Sequence, residues 1–582
     1  MYCNLKCKTL FLSVCLLLMN SIATAQDIEN IAKQKPFAIT GGFGLNYTST
    51  SSSDSNRIPM PVFWGANLSL NLSIYGISIP VTAVFTNGKV NLSHSFNQFG
   101  FSPHYKWITL HAGYRQYSYS PFTVSGQTLF GGGMDVNYRK LRLGFFGGRL
   151  RKAVQVDSTM MFRQDIPGAY PVNISTENGI NSYSVRPTFS RIGLGGKIGF
   201  GTPTNFVDFI LFKGYDNVKS LSTPTDNRDL KPEENVVLGV NIFQRFLKHF
   251  TFGFNGAASI YTYDTNEELV KSDFQYLSVI NKIIPVRLTT QAQWAAETNI
   301  NISYPNFNLS GSYKRAQPYF RSMGINSFLT DLNLISIQPS WSMLKQKLRF
   351  TNLLQYQSDN LNRYKQLTTK RLMLNSSVSY QISDHWGIDL NYNGSDISQQ
   401  KAKAQTADSI QSAQKSSSLT LSPRYLFSTD KISNITSLVT SFTGMRNSQI
   451  GGISNDIKNT YATLNNTFLI FRGGWNINTG LNFNNAVTSQ NTLQSYGFNA
   501  GVSKALFGNS LTLSNNNTLL FNTLDGVSNG TTVSIDLNGN YNFLKRNTIS
   551  IGYNYLYSPA NGIYNLSDFQ QNRLMISYQY NF

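Results

Sequence analysis

The chain has 582 residues and a formal net charge of +20, with 41% hydrophobic, 13% aromatic and only 13% charged residues. Ordinary globular domains carry about 25% charged residues, so this balance argues against a soluble enzyme and for a chain that meets lipid over much of its surface. After the N-terminal leader no run approaches the roughly eighteen consecutive apolar residues that a membrane helix needs.

The N-terminus reads as a secretory leader. Lys6 and Lys8 precede an apolar stretch from Leu10 to Met19, and Ala23-Thr24-Ala25 is a small-residue cleavage site, so residues 1–25 are expected to be removed before Gln26. A lipoprotein reading at Cys15 is disfavoured because Val14 is too large for that processing site and the apolar core runs on past the cysteine. Cys3, Cys7 and Cys15 all fall in the leader, so the mature chain is expected to lack a disulfide, a thiolate metal site and a cysteine nucleophile. Residues 26–36 are expected to form a short periplasmic segment, too short for a plug domain of the kind that precedes the barrel in a TonB-driven transporter.

From Phe37 to the end the pattern alternates with period two, and residues 37–582 are expected to form one transmembrane antiparallel β-barrel, all-β. Val533, Ile535, Leu537, Tyr541 and Phe543 alternate with Ser534, Asp536, Asn538, Asn540 and Asn542; Ile549, Ile551, Tyr553, Tyr555 and Tyr557 repeat the pattern. Tight connections are expected near Tyr75, His104, Arg139, Thr202, Lys248, Pro305, Lys345, Asp384, Asp430, Gly473, Gly508 and Lys545. Longer ones lie between, including Ala153 to Ser184, Tyr215 to Glu233, Tyr263 to Pro285 and Ser398 to Lys415. Twelve short periplasmic turns and thirteen longer extracellular loops give about 26 strands, within 24–28, with both termini periplasmic.

Such a barrel is wide, roughly 50 Å across for strands about 4.8 Å apart and tilted about 40°. Loops or a partner must fill it, or it stays open. Val270, Phe274, Leu277 and Ile284 recur at helical spacing in one long connection, which suggests a short amphipathic helix inside the mouth. Met160, Met161 and Phe162 make the longest connection too apolar to stand free in water, so it folds over the barrel or binds a partner. The Ser398 to Lys415 connection, rich in Gln, Ala, Ser and Lys, reads as a solvated arm.

Alternation places Ile108, Leu110, Ala112 and Tyr114 towards lipid, and so His111, Gly113, Arg115, Asp135, Asn137 and Arg142 towards the lumen. Arg149, Arg151, Arg186, Arg191 and Lys197 gather on adjoining strands and are candidate lumen residues. They would either draw anions inward or tie the wall to acidic groups of an inserted loop. The excess of positive charge also suits phosphate-bearing outer-membrane lipid. No His-Glu-x-x-His zinc spacing occurs, and no histidine has a nearby serine and carboxylate in a motif that specifies a nucleophile, so neither catalytic residues, metal ligands nor a cofactor are expected. Asp216, Asp226, Asp229, Glu233 and Glu234 read as a solvated acidic loop in preference to a calcium site, and no nucleic-acid partner is indicated.

The final strand carries Leu574, Ile576, Tyr578, Tyr580 and Phe582 on one face. Tyr578, Tyr580 and Phe582 look like the C-terminal aromatic signal read by the barrel-assembly machinery.

Four blocks stand out: Tyr75-Gly76-Ile77-Ser78-Ile79-Pro80, Phe99-Gly100-Phe101-Ser102-Pro103-His104-Tyr105-Lys106-Trp107, Leu110-His111-Ala112-Gly113-Tyr114-Arg115 and Tyr119-Ser120-Pro121-Phe122-Thr123. They resemble an uncharacterised Bacteroidetes family of large outer-membrane β-barrel proteins. Gly148-Arg149-Leu150-Arg151-Lys152-Ala153, Pro232-Glu233-Glu234-Asn235 and Tyr319-Phe320-Arg321-Ser322-Met323-Gly324 look like later signatures, with Phe320 and Met323 departing from the pattern. The resemblance implies an outer-membrane location and a barrel fold, and brings no activity. The sequence leaves two functions open: a passive or gated channel for small solutes, anions among them, and a structural barrel closed by a protein partner within a larger transport or secretion complex.

Overall fold

The computed structural model describes residues 36–53, 61–75, 77–87, 98–154, 174–177, 180–183, 188–221, 230–270, 281, 284–326, 328–401, 412–449, 455–558 and 568–582. In chain order the wall is β1 Phe37–Ser52, β2 Val62–Ile74, β3 Ile77–Thr86, β4 Gln98–Phe101 resuming at His104–Tyr105, β5 Ile108–Tyr117, β6 Gln127–Tyr138, β7 Leu141–Arg151, β8 Ser190–Thr202 and β9 Asn205–Asn217. There follow β10 Glu234–Phe246, β11 Phe250–Thr262, β12 Thr290–Tyr304, β13 Phe307–Ala316, β14 Leu332–Met343, β15 Leu348–Ser358, β16 Leu367–Gln381, β17 Trp386–Lys401 and β18 Ser412–Ser428. The last are β19 Ile432–Gln449, β20 Asn455–Ile470, β21 Trp475–Val487, β22 Thr492–Leu506, β23 Leu511–Leu524, β24 Val527–Phe543, β25 Asn547–Ser558 and β26 Phe569–Asn581.

These 26 strands make one closed antiparallel barrel. Each pairs with its neighbour in sequence, and β1 closes the ring on β26, with Gly42 opposite Asn581 and Ser52 opposite Gln571. Closure leaves no sheet edge, so the ladder satisfies the backbone groups that lipid could not. At the seam Phe43, Leu45 and Tyr47 stand opposite Tyr580, Tyr578 and Ile576, an apolar outer surface of the kind the period-two pattern demands. Phe145, Ile198, Phe209, Leu481 and Ile551 are exposed on the same outer face.

One end of the barrel is tied by short turns at the twelve places read from the sequence, the first hairpin after β4 turning at Lys106–Trp107 with His104 still in the strand. Tyr75, Lys106 and Arg139 adopt φ of 47°, 51° and 53°, the left-handed conformation that two-residue hairpins with a right-handed strand twist require. Aromatic pairs ring this end, including Trp107 with Tyr138 at 5.4 Å, Trp341 with Phe350 at 5.2 Å and Trp386 with Tyr425 at 4.9 Å. Rings with polar edges settle where lipid gives way to water.

The opposite end carries the longer connections, but unevenly. Residues 488–491 and 525–526 are tight turns where longer loops were expected, because Asp525 and Gly526, with φ of 52° and 81°, form a two-residue hairpin turn. A short two-stranded ribbon, Ile174–Glu177 with Ile180–Tyr183, stands outside the wall between β7 and β8.

The apolar core lies inside the barrel. Tyr117, Leu129, Phe146, Leu150, Phe212, Val237 and Tyr261 project inward from β5 to β11 and are buried against Phe122, Val124, Phe320 and Met323, which belong to two connections and not to the wall.

The two faces of one strand should respond oppositely to charge. Leu537→Arg, on the lipid side of β24, is expected to destabilise the barrel by about 2–4 kcal/mol, whereas Asn538→Arg next to it should cost little. Urea unfolding in lipid vesicles measures both, and equal losses would contradict the assigned register.

Candidate functional site

The connections 118–126, after β5, and 317–331, after β13, turn back into the lumen. Their sequences require it, since Phe122, Val124 and Phe320 are at most 1% exposed and would otherwise stand in water. The two segments bind each other. Ser322 Oγ donates to the Thr123 carbonyl at 2.6 Å, Ser125 N–H donates to the Gly324 carbonyl at 2.9 Å, and Asn326 donates to the Gly126 carbonyl. Phe122, Phe320 and Phe328 meet edge to face at 5.4–6.3 Å, and the Lys314 ammonium caps the Phe328 ring at 4.7 Å.

The wall is cut away to receive them. A Cβ on Gly133 would collide with the Tyr117 hydroxyl, one on Gly195 with the Phe146 ring and one on Gly239 with Thr123. On Gly214 it would lie 2.9 Å from Met323. Asn235, fully buried on β10, anchors the second segment: its amide donates to Ser259 Oγ at 2.8 Å and the Ile260 carbonyl at 3.0 Å, and its Oδ1 accepts from Met323 N–H at 3.0 Å. Ser259 Oγ in turn donates to the Arg321 carbonyl at 2.5 Å.

The basic residues singled out in the sequence divide into several situations. Arg142 makes a two-pronged bond to Asp208 at 2.8 and 2.9 Å across β8, with its guanidinium 4.2 Å from the Phe206 ring. Arg191 clasps Asp216 at 2.7 and 2.9 Å and reaches Glu233 at 2.5 Å, while Arg151 joins Asp216 at 3.3 Å. Arg151 shares a face with Arg191 because a bulge between β7 and β8 shifts the register there. Arg149 precedes that bulge and, an odd seven positions from inward-facing Arg142, falls on the outer face by plain alternation, its guanidinium 5.5 Å from the Phe130 ring. Lys197 points inward over the Tyr119 ring at 4.8 Å. Arg115 shares the inward alternation of His111 and Tyr117 and has no ion pair among the described residues. Arg186, Met160, Met161, Phe162, Phe274 and Leu277 lie outside the described residues. Ile284 is fully buried, and Val270 N–H donates to the Val286 carbonyl at 2.9 Å, so the described base of that connection is a strand-like ladder. Of the acidic loop residues, Asp216, Glu233 and Glu234 are paired with Arg191, Arg151 and Lys213. Tyr578 donates to Asn547 Oδ1 at 2.7 Å, the Tyr580 and Phe582 rings meet edge to face, and Phe582 N–H donates to the Gly41 carbonyl at 2.9 Å.

Three strands bring together what no local motif showed. His111 Nδ1 lies 2.8 Å from Ser102 Oγ and its Nε2 lies 3.0 Å from Asp135 Oδ2, the order of a hydrolytic triad. Ser102 is only 2% exposed, sealed in the break of β4 with its N–H bound to the Pro80 carbonyl, so no substrate carbonyl can approach its hydroxyl. The relay holds the interrupted strand to the wall.

The other side of the lumen is different in kind. Thr463 Oγ1 donates to Asn482 Oδ1, and the Asn482 amide donates on to Asn499 Oδ1, both at 2.9 Å. Ser495 Oγ donates to Asn522 Oδ1 at 2.7 Å and the Asn522 amide to Thr532 Oγ1 at 2.9 Å. These ladders run around the inner wall from β20 to β24 and border a cavity of about 550 Å³ lined by Asn484, Asn499 and Asn516.

A latch closes the end of the second inserted segment. Asp331 takes Lys365 Nζ at 2.6 Å and Leu361 N–H at 2.8 Å, and Lys365 also reaches Asp359 at 3.2 Å. Burial pushes the Asp331 carboxyl up, but the bonds from Lys365 and the backbone outweigh it and hold it below the usual carboxylate value. Burial likewise pushes the Lys365 ammonium down, and its two carboxylates outweigh that and raise it.

No family model and no curated protein matches the chain. Among solved structures the chain is similar to the P pilus usher (PapC) translocation pore, at 9% identity over 93% of this chain and 99% of that one, with a TM-score of 0.37. It is also similar to Pseudomonas aeruginosa FpvA bound to a pyoverdine, at 10% identity over 94% and 72% with a TM-score of 0.35. For Pseudomonas aeruginosa OccK11 the figures are 9%, 94% and 96%, and 0.27. Likenesses this distant bear on neither solute nor partner.

Asn235→Ala should leave Met323 N–H without its partner and free the second segment, at a cost of about 1–3 kcal/mol. Protease cleavage within 317–331, absent from the parent barrel, reports the release. The latch has its own pH signature. A depressed Asp331 contributes stability above its unfolded pKa that disappears as pH falls through the folded value, and a raised Lys365 contributes below its unfolded pKa until pH rises through the folded one. Cleavage near 359–366 should therefore be flat from about pH 5 to 9 and rise only outside that window. A change centred near neutrality would contradict the latch.

Proposed function

We propose that the chain is an outer-membrane channel for small polar solutes, with its passage along the amide-lined side of the lumen and the inserted segments closing the other. The observation that carries this reading is the division of the lumen: Tyr117, Phe146, Phe212, Val237 and Tyr261, inward on β5 to β11, are buried in an apolar core with the inserted segments, while the amides and hydroxyls of β20 to β24 border open space. An outer-membrane location rests on the closed barrel, its apolar outer face and its aromatic ring near the short turns. Export by a cleaved leader and recognition of Tyr578, Tyr580 and Phe582 by the assembly machinery belong to the same proposal.

The lining sets the expected selectivity. Amides and hydroxyls offer both donors and acceptors without net charge, so the passage discriminates little between cations and anions. Arg142, Arg151 and Arg191 add little bias because each is committed to a carboxylate.

In planar bilayers the purified barrel should give steady single-channel steps with weak ion preference. Asn499→Asp with Asn516→Asp should turn the pore towards cations, and replacing residues 119–125 with a short glycine linker should enlarge the step. A correctly folded barrel that stays silent would overturn the channel and favour the partner-closed scaffold.

A further inference from the structure

A cavity of about 700 Å³ opens at the long-loop end, above the second inserted segment. It falls within the usual size range of small-molecule sites, roughly 300–1,000 Å³. Tyr261, Tyr263, Tyr319 and Phe320 supply ring faces, and Arg151, Arg191 and Arg321 converge on it.

The charges there do not cancel. Asp216 is taken on both oxygens by Arg191 and on one by Arg151. Glu233 Oε2 accepts from Arg191 at 2.5 Å and from the Tyr261 hydroxyl at 2.8 Å. Only Glu233 Oε1 is left for Arg321, and that contact is a loose 3.6 Å. Three guanidiniums thus share two carboxylates. Arg321 is the surplus cation, its side chain 51% exposed and poised 5.2 Å from the Tyr261 ring and 5.6 Å from the Tyr263 ring. Its backbone is fixed by the bond from Ser259 to its carbonyl, so the guanidinium is held at the cavity from a rigid base.

We infer that this cavity is a binding site for a small ring-bearing carboxylate, with Arg321 pairing the carboxylate and the exposed Tyr319 covering the ring face. A planar guanidinium matches a carboxylate through two parallel hydrogen bonds, and in a half-enclosed aromatic setting that match separates an acid from its neutral analogue. The site rests on the chain's own cavity and not on conduction, and it refines the channel reading by naming a solute that would be held at the mouth before passage.

Glucuronate and glucose isolate the carboxylate, since the rings are alike and differ at one carbon. Titration calorimetry of the full barrel in detergent should show glucuronate binding at least about tenfold more tightly than glucose. Arg321→Gln should abolish that preference, Arg321→Lys should restore part of it, and Tyr319→Ala should weaken both sugars together while leaving their ratio. Equal binding of the two sugars by the parent barrel, or a preference that survives Arg321→Gln, would overturn the assignment. Because binding is read without a membrane, a barrel that binds glucuronate but carries no current sinks the channel alone, and one that conducts without preferring glucuronate sinks the site alone.

Discussion

Closing β1 on β26 is the constraint from which the rest follows. Once the ring is shut every strand is hydrogen-bonded on both sides, but the perimeter of 26 strands encloses a bore of roughly 50 Å, far wider than side chains from the wall can bridge. Backbone satisfaction in lipid is achieved by creating an interior that has to be organised by other means.

The chain organises that interior asymmetrically. From β5 to β13 the inward positions carry aromatic and aliphatic side chains, paired charges and glycines beside polar residues such as Asn235 and Ser259, and two connections fold into the space the glycines leave. The close approach of Thr123 to Gly239 and of Met323 to Gly214 shows that wall and insert are shaped together, as in a soluble core. From β20 to β24 the inward positions are amides and hydroxyls bonded to one another around the circumference, which keeps them ordered without filling the bore. Arg142, Arg151 and Arg191 on the packed side belong to the packing more than to any field over the lumen, since each is held by Asp208 or Asp216.

Much of this architecture is legible in the amino-acid sequence. Alternation at Val533 to Phe543 and Ile549 to Tyr557 fixes which side of β24 and β25 meets lipid, and twelve turn positions give the strand number because lipid permits little variation in strand length. What fills the lumen was harder to see. Helical spacing drew attention to Val270 and Ile284, whereas the inserted segments have no regular period at all. Their signal was of another sort: Phe122 and Phe320 are large apolar residues inside loops, and glycines recur at lumen parity on the strands facing them. The pairing of Arg142 with Asp208 spans a strand between them, and the inward turn of Arg151 follows from a bulge, so neither has a sequence signature that alternation could reveal, whereas the outward Arg149 is given by alternation from Arg142 itself. The link from Ser102 to His111 and Asp135 likewise exists only once β4, β5 and β6 lie side by side.

The bond from Ser322 to Thr123 joins residues 199 positions apart in the chain. Such a contact carries a large loop-closure entropy unless the intervening strands are in register, so it depends on the wall that holds both segments. Any form of the barrel in which the two segments are apart leaves Phe122 and Phe320 without each other. The apolar surface then faces the water of the bore and not lipid, so the two segments are held together by the same hydrophobic burial that builds a soluble core.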